Sequence, residues 1–529
     1  MIRSPFLPHW LFAHAERAPD APAVATPTAR LTYGELAARV QALAAQLAAS
    51  GIAPGHRVLL ALPNAPATVV AGLAVHAAGA TAVEVNREWG ADVLADLVTR
   101  SGARQIIAWG RDLRKWQPVL AGAAARGVQR AWLVHPGPLP EDELAGMGRP
   151  CALLREDGAV DPRLGPAPAF RGPDLDPDAP ALVLYTSGST GRPRGVVQTY
   201  RNVDANSRAI VEYLGLTAAD RALVILPLYY CYGRSVLQTH LLAGGSVFLD
   251  GRFTFPRVVL EALGAEGCTG FAGVPLTFEI IRRQVDVTTL RLPRLRYLTQ
   301  AGGAMAQETI DWARRAFQPA RLVVMYGQTE ATARLSYLPP ERAADKAGSI
   351  GVPIPGVELA VVDAQGRRLP PGTVGHLVAR GDNVTPGYLD EPEETAAILH
   401  DGWLWTGDLA EEDPDGFFFH RGRSKEILKI GGHRVSPVEI EEVVARHPDV
   451  LEVAVVGLPD ALRGEAPAAV VVFRAGAAPS EDALRRFCLE RMATYRVPTR
   501  FCRAERLPRN PAGKLLRAEV ARLLEASPG

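Results

Sequence analysis

Residues 185–195 constrain this chain more than any other stretch. A short apolar run, 181–184, reads as a buried strand, and it opens into Thr186, Ser187, Gly188, Ser189, Thr190 and Gly191. The two glycines let the backbone turn where other residues would strain. Successive N–H groups in such a turn face one concavity and bind anions. The hydroxyls of Thr186, Ser187, Ser189 and Thr190 add donors, and Arg192 and Arg194 add positive charge. The competing reading of an isolated segment like this is a polar surface turn. It is not a Walker loop, because no Gly-Lys-Ser/Thr ends it, and it lacks the G-x-G-x-x-G dinucleotide spacing.

Other segments follow the same alternation of strand and helix. Thr32 and Glu35 form a capping box, followed by Leu36, Val40, Leu43 and Leu47 at helical spacing, with Gly51 as a stop. Residues 57–62 predict a strand, 65–76 a small-residue helix and 81–86 a second strand, which is a parallel βαβ pattern. Residues 161–180 are rich in Pro, Gly and Asp and predict a loop or a seam between subdomains. Further strands are expected over 221–228, 246–250, 269–274, 296–300 and 321–325. From Gly356 the pattern changes, and 357–363 and 376–380 predict a smaller β-rich module. Around Lys425 it changes again. Ser436 and Pro437 start a helix with Ile440, Val443 and Val444 on one face. Strands over 451–457 and 468–473 and a helix over 481–492 complete an α+β tail. The fold expected is α/β: a large N-terminal domain, 1–424, of stacked αβ subdomains plus a β-rich subdomain, then a small mobile α+β domain, 425–529. A chain of 529 residues has room for these cores.

Four further motifs sit at the ends of these elements. Tyr326, Gly327, Gln328, Thr329 and Glu330 follow a strand, where a site loop at the carboxyl end of a parallel sheet belongs. Trp405, Thr406, Gly407 and Asp408 precede residues 422–432, which carry Arg423, Lys425, Lys429, Gly431 and Gly432. The tail ends in Leu507, Pro508, Arg509, Asn510, Pro511, Ala512, Gly513 and Lys514. Read singly, Glu330 is a solvated loop acid and the lysines are exposed cations.

Taken in order across residues 20–520, these motifs resemble the adenylate-forming superfamily, which includes acyl-CoA synthetases, luciferases and the adenylation domains of peptide synthetases. Residues 300–304, and Gly387 with Tyr388 ahead of Pro392, also match. The resemblance implies ATP, Mg²⁺ and CoA, or the phosphopantetheine of a carrier protein, as cofactors and co-substrates. It implies nucleotide contacts from Thr186, Ser187, Gly188, Ser189, Thr190, Gly191 and Arg194, and from Gly302, Gly303 and Ala304. It implies an adenine face on Tyr326 with Gly327 beside it, an α-phosphate hydroxyl on Thr329, Mg²⁺ at Glu330, ribose on Asp408, and Arg423 near ribose or phosphate. Tyr230, Tyr232 and Gln328 fall at the acyl pocket. Lys425 falls at the hinge between domains, with Lys429, Gly431 and Gly432 lining the thiol tunnel. Lys514 takes the place of the lysine that swings over the acyl carboxylate, so Lys514, Glu330 and Thr186 are the expected catalytic residues.

The sequence departs from its relatives in places. Arg194 stands where many have Lys, which keeps the charge as a flat fork. Tyr200 and Tyr230 stand where His is common, and His376 replaces a common Glu. No carboxylate occurs in 226–233, where amino-acid-activating relatives place an Asp, and this argues against an α-amino acid substrate. Tyr229, Tyr230, Tyr232, Phe271 and Phe278 favour a fatty or aryl acid. The expected activity is therefore an ATP-dependent acid–thiol ligase acting on such an acid and CoA. The alternatives are loading of a separate holo carrier protein, an inactive ligand-binding relative, and luciferase-like oxidation.

Net charge is +1, which gives no global reason to expect nucleic acid or an anionic membrane. The five cysteines are scattered without a C-x-x-C pair, which suits a reducing cytoplasm. No apolar run reaches membrane-spanning length, and residues 1–8 lack a secretory apolar region. No residue pattern sets the oligomeric state, a homodimer being one option.

Overall fold

The structure is a computed structural model, and it describes residues 7–122, 127–135, 151–186, 193–430, 433–460, 463–509 and 515–526. The large N-terminal part is built on two sheets. In the first, the strands run in the order 387–388, 194–199, 180–186, 81–84, 57–61, 105–109, 130–135 and 151–155. In the second the order is 352–353, 336–338, 321–326, 297–300, 270–273, 221–224, 246–249, 22–25 and 30–32. The central strands of both are parallel, as βαβ patterning requires. The strand Pro180–Thr186 also pairs antiparallel with Arg194–Thr199. The described strands on either side of residues 187–192 thus pair with each other, a pairing that Pro193 and Gly195 disguise as open loop.

The helices Tyr33–Ala49, Pro66–Ala77, Tyr200–Leu214 and Cys231–Ala243 supply one apolar cluster that takes in residues of both sheets. The first helix starts as its capping box demands. The Glu35 N–H donates to Thr32 Oγ1 at 3.2 Å, and the Thr32 N–H donates to Glu35 Oε2 at 2.9 Å. Inside this core Arg234 and Glu84 form a buried ion pair. Gly72 gives it room, since a Cβ there would lie 3.3 Å from Arg234 Nη1.

A third sheet, with strands Val357–Val362, Gly375–Gly381, Trp403–Glu412, Leu399–His400 and Phe418–Arg423, is the expected β-rich module. A fourth, with His433–Val435, Leu428–Ile430, Gly464–Phe473, Val450–Asp460 and Arg500–Arg503, carries the helices Pro437–Val444, Glu481–Leu489 and Arg517–Ala526. It is a small C-terminal domain with its own apolar clusters. Among the described residues, no apolar cluster contains side chains from both sides of Arg423. What crosses instead is charge. Arg474 Nη2 lies 2.9 Å from Glu308 Oε2, and Arg283 Nη2 lies 3.9 Å from Glu452 Oε1.

One expected strand ends early. Residues 221–228 were expected to be extended throughout, but the strand is Arg221–Val224. Asn64 takes over the backbone beyond it, donating to the Leu226 carbonyl at 2.8 Å and accepting from the Leu228 N–H at 3.0 Å. Those bonds steer the chain out of the sheet and into the turn that carries Tyr229 and Tyr230. No helix among the described residues is long and apolar enough to cross a membrane.

Candidate active site

The parallel strands Gly270–Gly273, Tyr297–Gln300 and Arg321–Tyr326 end side by side, so the turns that follow them form one rim. Gly302 has φ +88° and is exposed. A Cβ there would lie 3.3 Å from the Tyr230 hydroxyl, so this turn closes directly against the proposed acyl pocket. Gln300 Nε2 donates to the Gly303 carbonyl at 2.8 Å and fixes the bend, while Gly303 and Ala304 face outward.

The loop after Arg321–Tyr326 folds back on itself. Its close approach needs glycine: a Cβ on Gly327 would sit 2.1 Å from the Ala333 carbonyl oxygen. The Leu335 N–H donates to the Tyr326 carbonyl at 2.9 Å and shuts the loop. Two consecutive non-glycine residues, Thr332 at φ +57° and Ala333 at φ +110°, hold left-handed backbone there. Such strain persists only where surrounding bonds over-determine it. The clamps are Asn383 Nδ2, donating to the Ala331 and Arg334 carbonyls at 3.1 and 2.9 Å, and Asn206 Nδ2, donating to the Arg334 carbonyl at 3.0 Å.

Three of the expected site residues meet in one contact. The Tyr326 hydroxyl donates to Asp408 Oδ2 at 2.5 Å, and Arg423 Nε lies 2.7 Å from Asp408 Oδ1, with His420 Nε2 at 3.3 Å. Asp408 is 1% exposed. Burial alone would raise its carboxyl, but His420, Arg423 and Tyr326 together outweigh that and hold it below the ordinary carboxylate value. The Tyr326 phenol is pushed well up, by burial first and then by the Asp408 charge. The result is an ionised carboxylate at the edge of an aromatic face, ready to accept from paired hydroxyls once its present donors give way.

Glu330 is partly exposed and accepts from the Tyr388 hydroxyl at 2.8 Å. Tyr388 in turn lies under Arg194, whose guanidinium carbon is 5.6 Å from the ring centroid. Arg194 does not stand free: Nη1 is 2.9 Å from Glu394 Oε2, and Nε is 3.8 Å from Glu391 Oε2. Thr186 and Arg194 face each other across the hairpin. Thr329 is buried, and its hydroxyl donates to Cys231 Sγ at 3.4 Å. Among the described residues no group of three or more His, Cys, Asp or Glu could hold a metal. A single carboxylate nonetheless suits Mg²⁺, which keeps its waters and takes phosphate oxygens for most of its shell. Glu330 therefore fits that ion and fits a dedicated zinc cage poorly.

The remaining expected residues divide into two groups. Ser187, Gly188, Ser189, Thr190, Gly191, Gly431, Gly432 and Lys514 lie outside the described residues. So does the side chain of Lys425, whose backbone sits in the 3-10 turn Ser424–Glu426. The second group is placed. Lys429 is on the strand Leu428–Ile430, and its N–H donates to Glu465 Oε2 at 2.5 Å, so that contact stays within the small sheet. On either side of residues 510–514, Arg509 and Leu515 form a β-bridge, and the Leu516 N–H donates to the Pro508 carbonyl at 3.0 Å. Arg517, just beyond, is anchored by Glu426 at 2.6 Å and Glu441 at 2.6 Å.

Sequence reasoning missed several participants. Tyr388 carried a motif match but no role, because its bond to Glu330 spans fifty-eight positions. Asn206 and Asn383 carried no signal. Arg334 was passed over entirely. It is 3% exposed, and its guanidinium carbon lies 4.1 Å from the centroid of the Tyr232 ring. The Tyr232 hydroxyl itself donates to Thr299 Oγ1 at 2.8 Å.

Comparison with known proteins gives the family. Residues 11–389 match the AMP-binding enzyme family, and residues 439–514 match the AMP-binding enzyme C-terminal domain. A feruloyl-CoA synthase of Amycolatopsis sp. is 34% identical over 526 residues, which is 98% of this chain and 99% of that one. A sulfoacetate–CoA ligase of Cupriavidus necator is 34% identical over 95% of this chain and 94% of its own. Among solved structures, o-succinylbenzoate CoA synthetase from Bacillus subtilis, in complex with its acyl-adenylate intermediate, superposes with a TM-score of 0.81. It is 27% identical and covers 97% of this chain and 98% of its own. A second structure of that enzyme, with ATP and a magnesium ion, gives a TM-score of 0.79 at 26% identity, covering 97% of this chain and 99% of its own. With both segments matched in order along nearly the whole length, the chain belongs to the AMP-binding enzyme family.

Proposed function

We propose that this chain is an AMP-forming acid–CoA ligase. A carboxylate oxygen of the acid attacks the α-phosphorus of ATP, the bond to the bridging oxygen breaks, and pyrophosphate leaves. The CoA sulfur then attacks the carbonyl of the acyl-adenylate, AMP leaves and the thiol proton is lost. The observation that carries this reading is the joining of Tyr326, Asp408 and Arg423 in one contact, on a rim that also carries Glu330. It sets an aromatic face, a buried ionised carboxylate and a metal-competent carboxylate around a single cleft.

Each residue counters a defined obstacle. An anion must approach a polyanion, and fixed positive and hydrogen-bonding groups aimed at the developing charge are often the largest catalytic term. The glycine- and hydroxyl-rich stretch after Thr186 offers N–H groups and hydroxyls to the phosphates. Lys514 offers an ammonium to the acyl carboxylate and the α-phosphate. Mg²⁺ held at Glu330 supplies neutralisation of phosphate charge. Asp408 fixes the ribose, and Tyr326 the adenine. Tyr230, Tyr232 and Gln328 border the acid. The relatives named above act on acids as different as feruloyl and sulfoacetate, so family membership leaves the acid open.

The test is pyrophosphate release over fatty, aryl, dicarboxylic and amino acids, with CoA, with a holo carrier protein and with neither. The expected result is acid-dependent release and formation of an acyl-CoA thioester. Pyrophosphate release without dependence on any acid, or thioester formed only on the carrier, would refute the reading.

A further inference from the structure

We infer that Arg334 reads a second anionic group on the acid, so that the substrate is a compact acid carrying a carboxylate or sulfonate remote from the reacting carboxylate. This deepens the acid–CoA ligase reading and rests on it. A partly enclosed cavity is lined by Arg334, Tyr232, Thr299, His240, Tyr297 and Met325, among others. Apart from Arg334, its wall is apolar or made of neutral hydroxyl and ring groups. The His240 ring donates from Nδ1 to the Val236 carbonyl at 2.7 Å, with Thr239 Oγ1 at 3.5 Å from the same nitrogen, its Nε2 lies 2.8 Å from the Tyr297 hydroxyl, and burial lowers its pKa.

Arg334 is unusual in its lack of an anion. The other buried or half-buried arginines described above have one: Arg234 has Glu84, Arg423 has Asp408 and Arg517 has Glu441. Among the described residues Arg334 forms no ion pair. Its Nε donates to Met325 Sδ at 3.3 Å and its Nη1 to the Ala333 carbonyl at 3.0 Å, while its plane rests near the Tyr232 ring. Sulfur, one carbonyl, the neutral Tyr213 hydroxyl and a π-face are weak compensation for a buried guanidinium with five N–H donors. A buried cation left this way is strongly favourable toward an anion that enters.

The backbone is arranged to keep it there. The strained pair Thr332 and Ala333 immediately precedes Arg334, and the bonds from Asn206 and Asn383 fix its carbonyl. On the same loop, Gln328 holds a buried Nε2 with no hydrogen-bond partner, a second donor without an acceptor. Size narrows the class further. About 20 Å³ of the cavity is open to the centre of a water-sized sphere. By the usual measure, that is room for roughly one or two waters, and hence for a carboxylate-sized group rather than an extended alkyl tail.

The test compares succinate with succinamate and glutarate with glutaramate, with benzoate and octanoate as neutral references. Pyrophosphate release is measured with CoA present, and equilibrium binding of each acid is measured by calorimetry with wild type, Arg334→Lys and Arg334→Met. A site built around a buried charge rejects the analogue lacking the partner by about 100-fold or more. The wild-type kcat/KM is therefore expected to favour each diacid over its monoamide by that factor. Arg334→Met should bring the ratio close to one, chiefly through KM, and Arg334→Lys should keep part of it. Preference of the wild type for the monoamides or neutral acids, or an unchanged ratio in Arg334→Met, would overturn the inference while leaving the ligase reading intact. If no acid drove pyrophosphate release but diacids bound with dependence on Arg334, the ligase reading would fail and the assignment of Arg334 would stand. Diacid binding that ignores Arg334 overturns the assignment whatever the turnover.

Discussion

Asp408 carries two demands at once, as a fold contact and as a proposed ribose ligand. Its carboxyl is held below the ordinary value of 3.8. The contribution to stability is therefore present above about that pH and is lost as acid takes the pH down through the folded value. Asp408→Asn should destabilise the protein at neutral pH, because Arg423 and His420 lose their anion. Breaking a buried pair typically costs about 3–5 kcal/mol. The Arg423 side chain keeps 39% of its exposure, so solvent screening brings the expected loss down to about 2–3 kcal/mol. Urea unfolding of both proteins at pH 7 checks this, and the gap between them should narrow progressively as the pH falls from the ordinary carboxyl value through the lower folded one. At this scale the sequence revealed what lies in contiguous motifs: Tyr326, Glu330, Asp408 and Arg423 stand in short recognisable strings. It concealed Tyr388, Asn383 and Arg334, whose importance comes from contacts between residues far apart in the chain. A lone buried arginine looks on paper like any surface cation, because only packing shows that, among the described residues, no carboxylate pairs with it.

The element that governs the site is the loop from Tyr326 to Arg334. Its hairpin-like closure leaves no space for a methyl group at Gly327, where a Cβ would lie 2.1 Å from the Ala333 oxygen. Gly327→Ala must push the loop open and displace Glu330 and Thr329 together. Misplacement of about an ångström commonly costs 10²-fold in rate. Acid-dependent pyrophosphate exchange should drop by about that factor, with circular dichroism and unfolding cooperativity retained. Local punctuation made much of the element series legible. The Thr32–Glu35 box starts a helix where it should, and Ser436 caps Pro437–Val444 through the Val438 N–H at 3.2 Å. The strand Arg194–Thr199 was hidden because Pro193 and Gly195 mark a loop, while its pairing with Pro180–Thr186 comes from the sheet. The early end of Arg221–Val224 was hidden because Asn64, more than one hundred and fifty positions away, supplies the competing bonds.

For the molecule as a whole, the proposed action is a turn of the small domain about Lys425 between the two half-reactions. Proline there fixes φ and stiffens the linker. Lys425→Pro should leave adenylate formation largely intact and block thioester formation, as seen by comparing pyrophosphate exchange with acyl-CoA yield. Equal loss of both would place the pivot elsewhere. The contacts across the seam are partly exposed ion pairs, individually worth about 0–1 kcal/mol. Arg474→Glu should alter one half-reaction and spare the other, and the paired change with Glu308→Arg should restore the balance; stopped-flow measurement of each step checks it. Neither the seam nor its partners could be read from sequence, since charges on two separate domains meet only after both have folded.

Because, among the described residues, no apolar cluster bridges that seam, swinging the cap wets little hydrocarbon. Exposure of such surface is what makes protein transitions absorb heat capacity. The turning step should then show a straight Eyring plot over the working temperature range, its rate falling in the cold by one constant activation enthalpy with no added curvature.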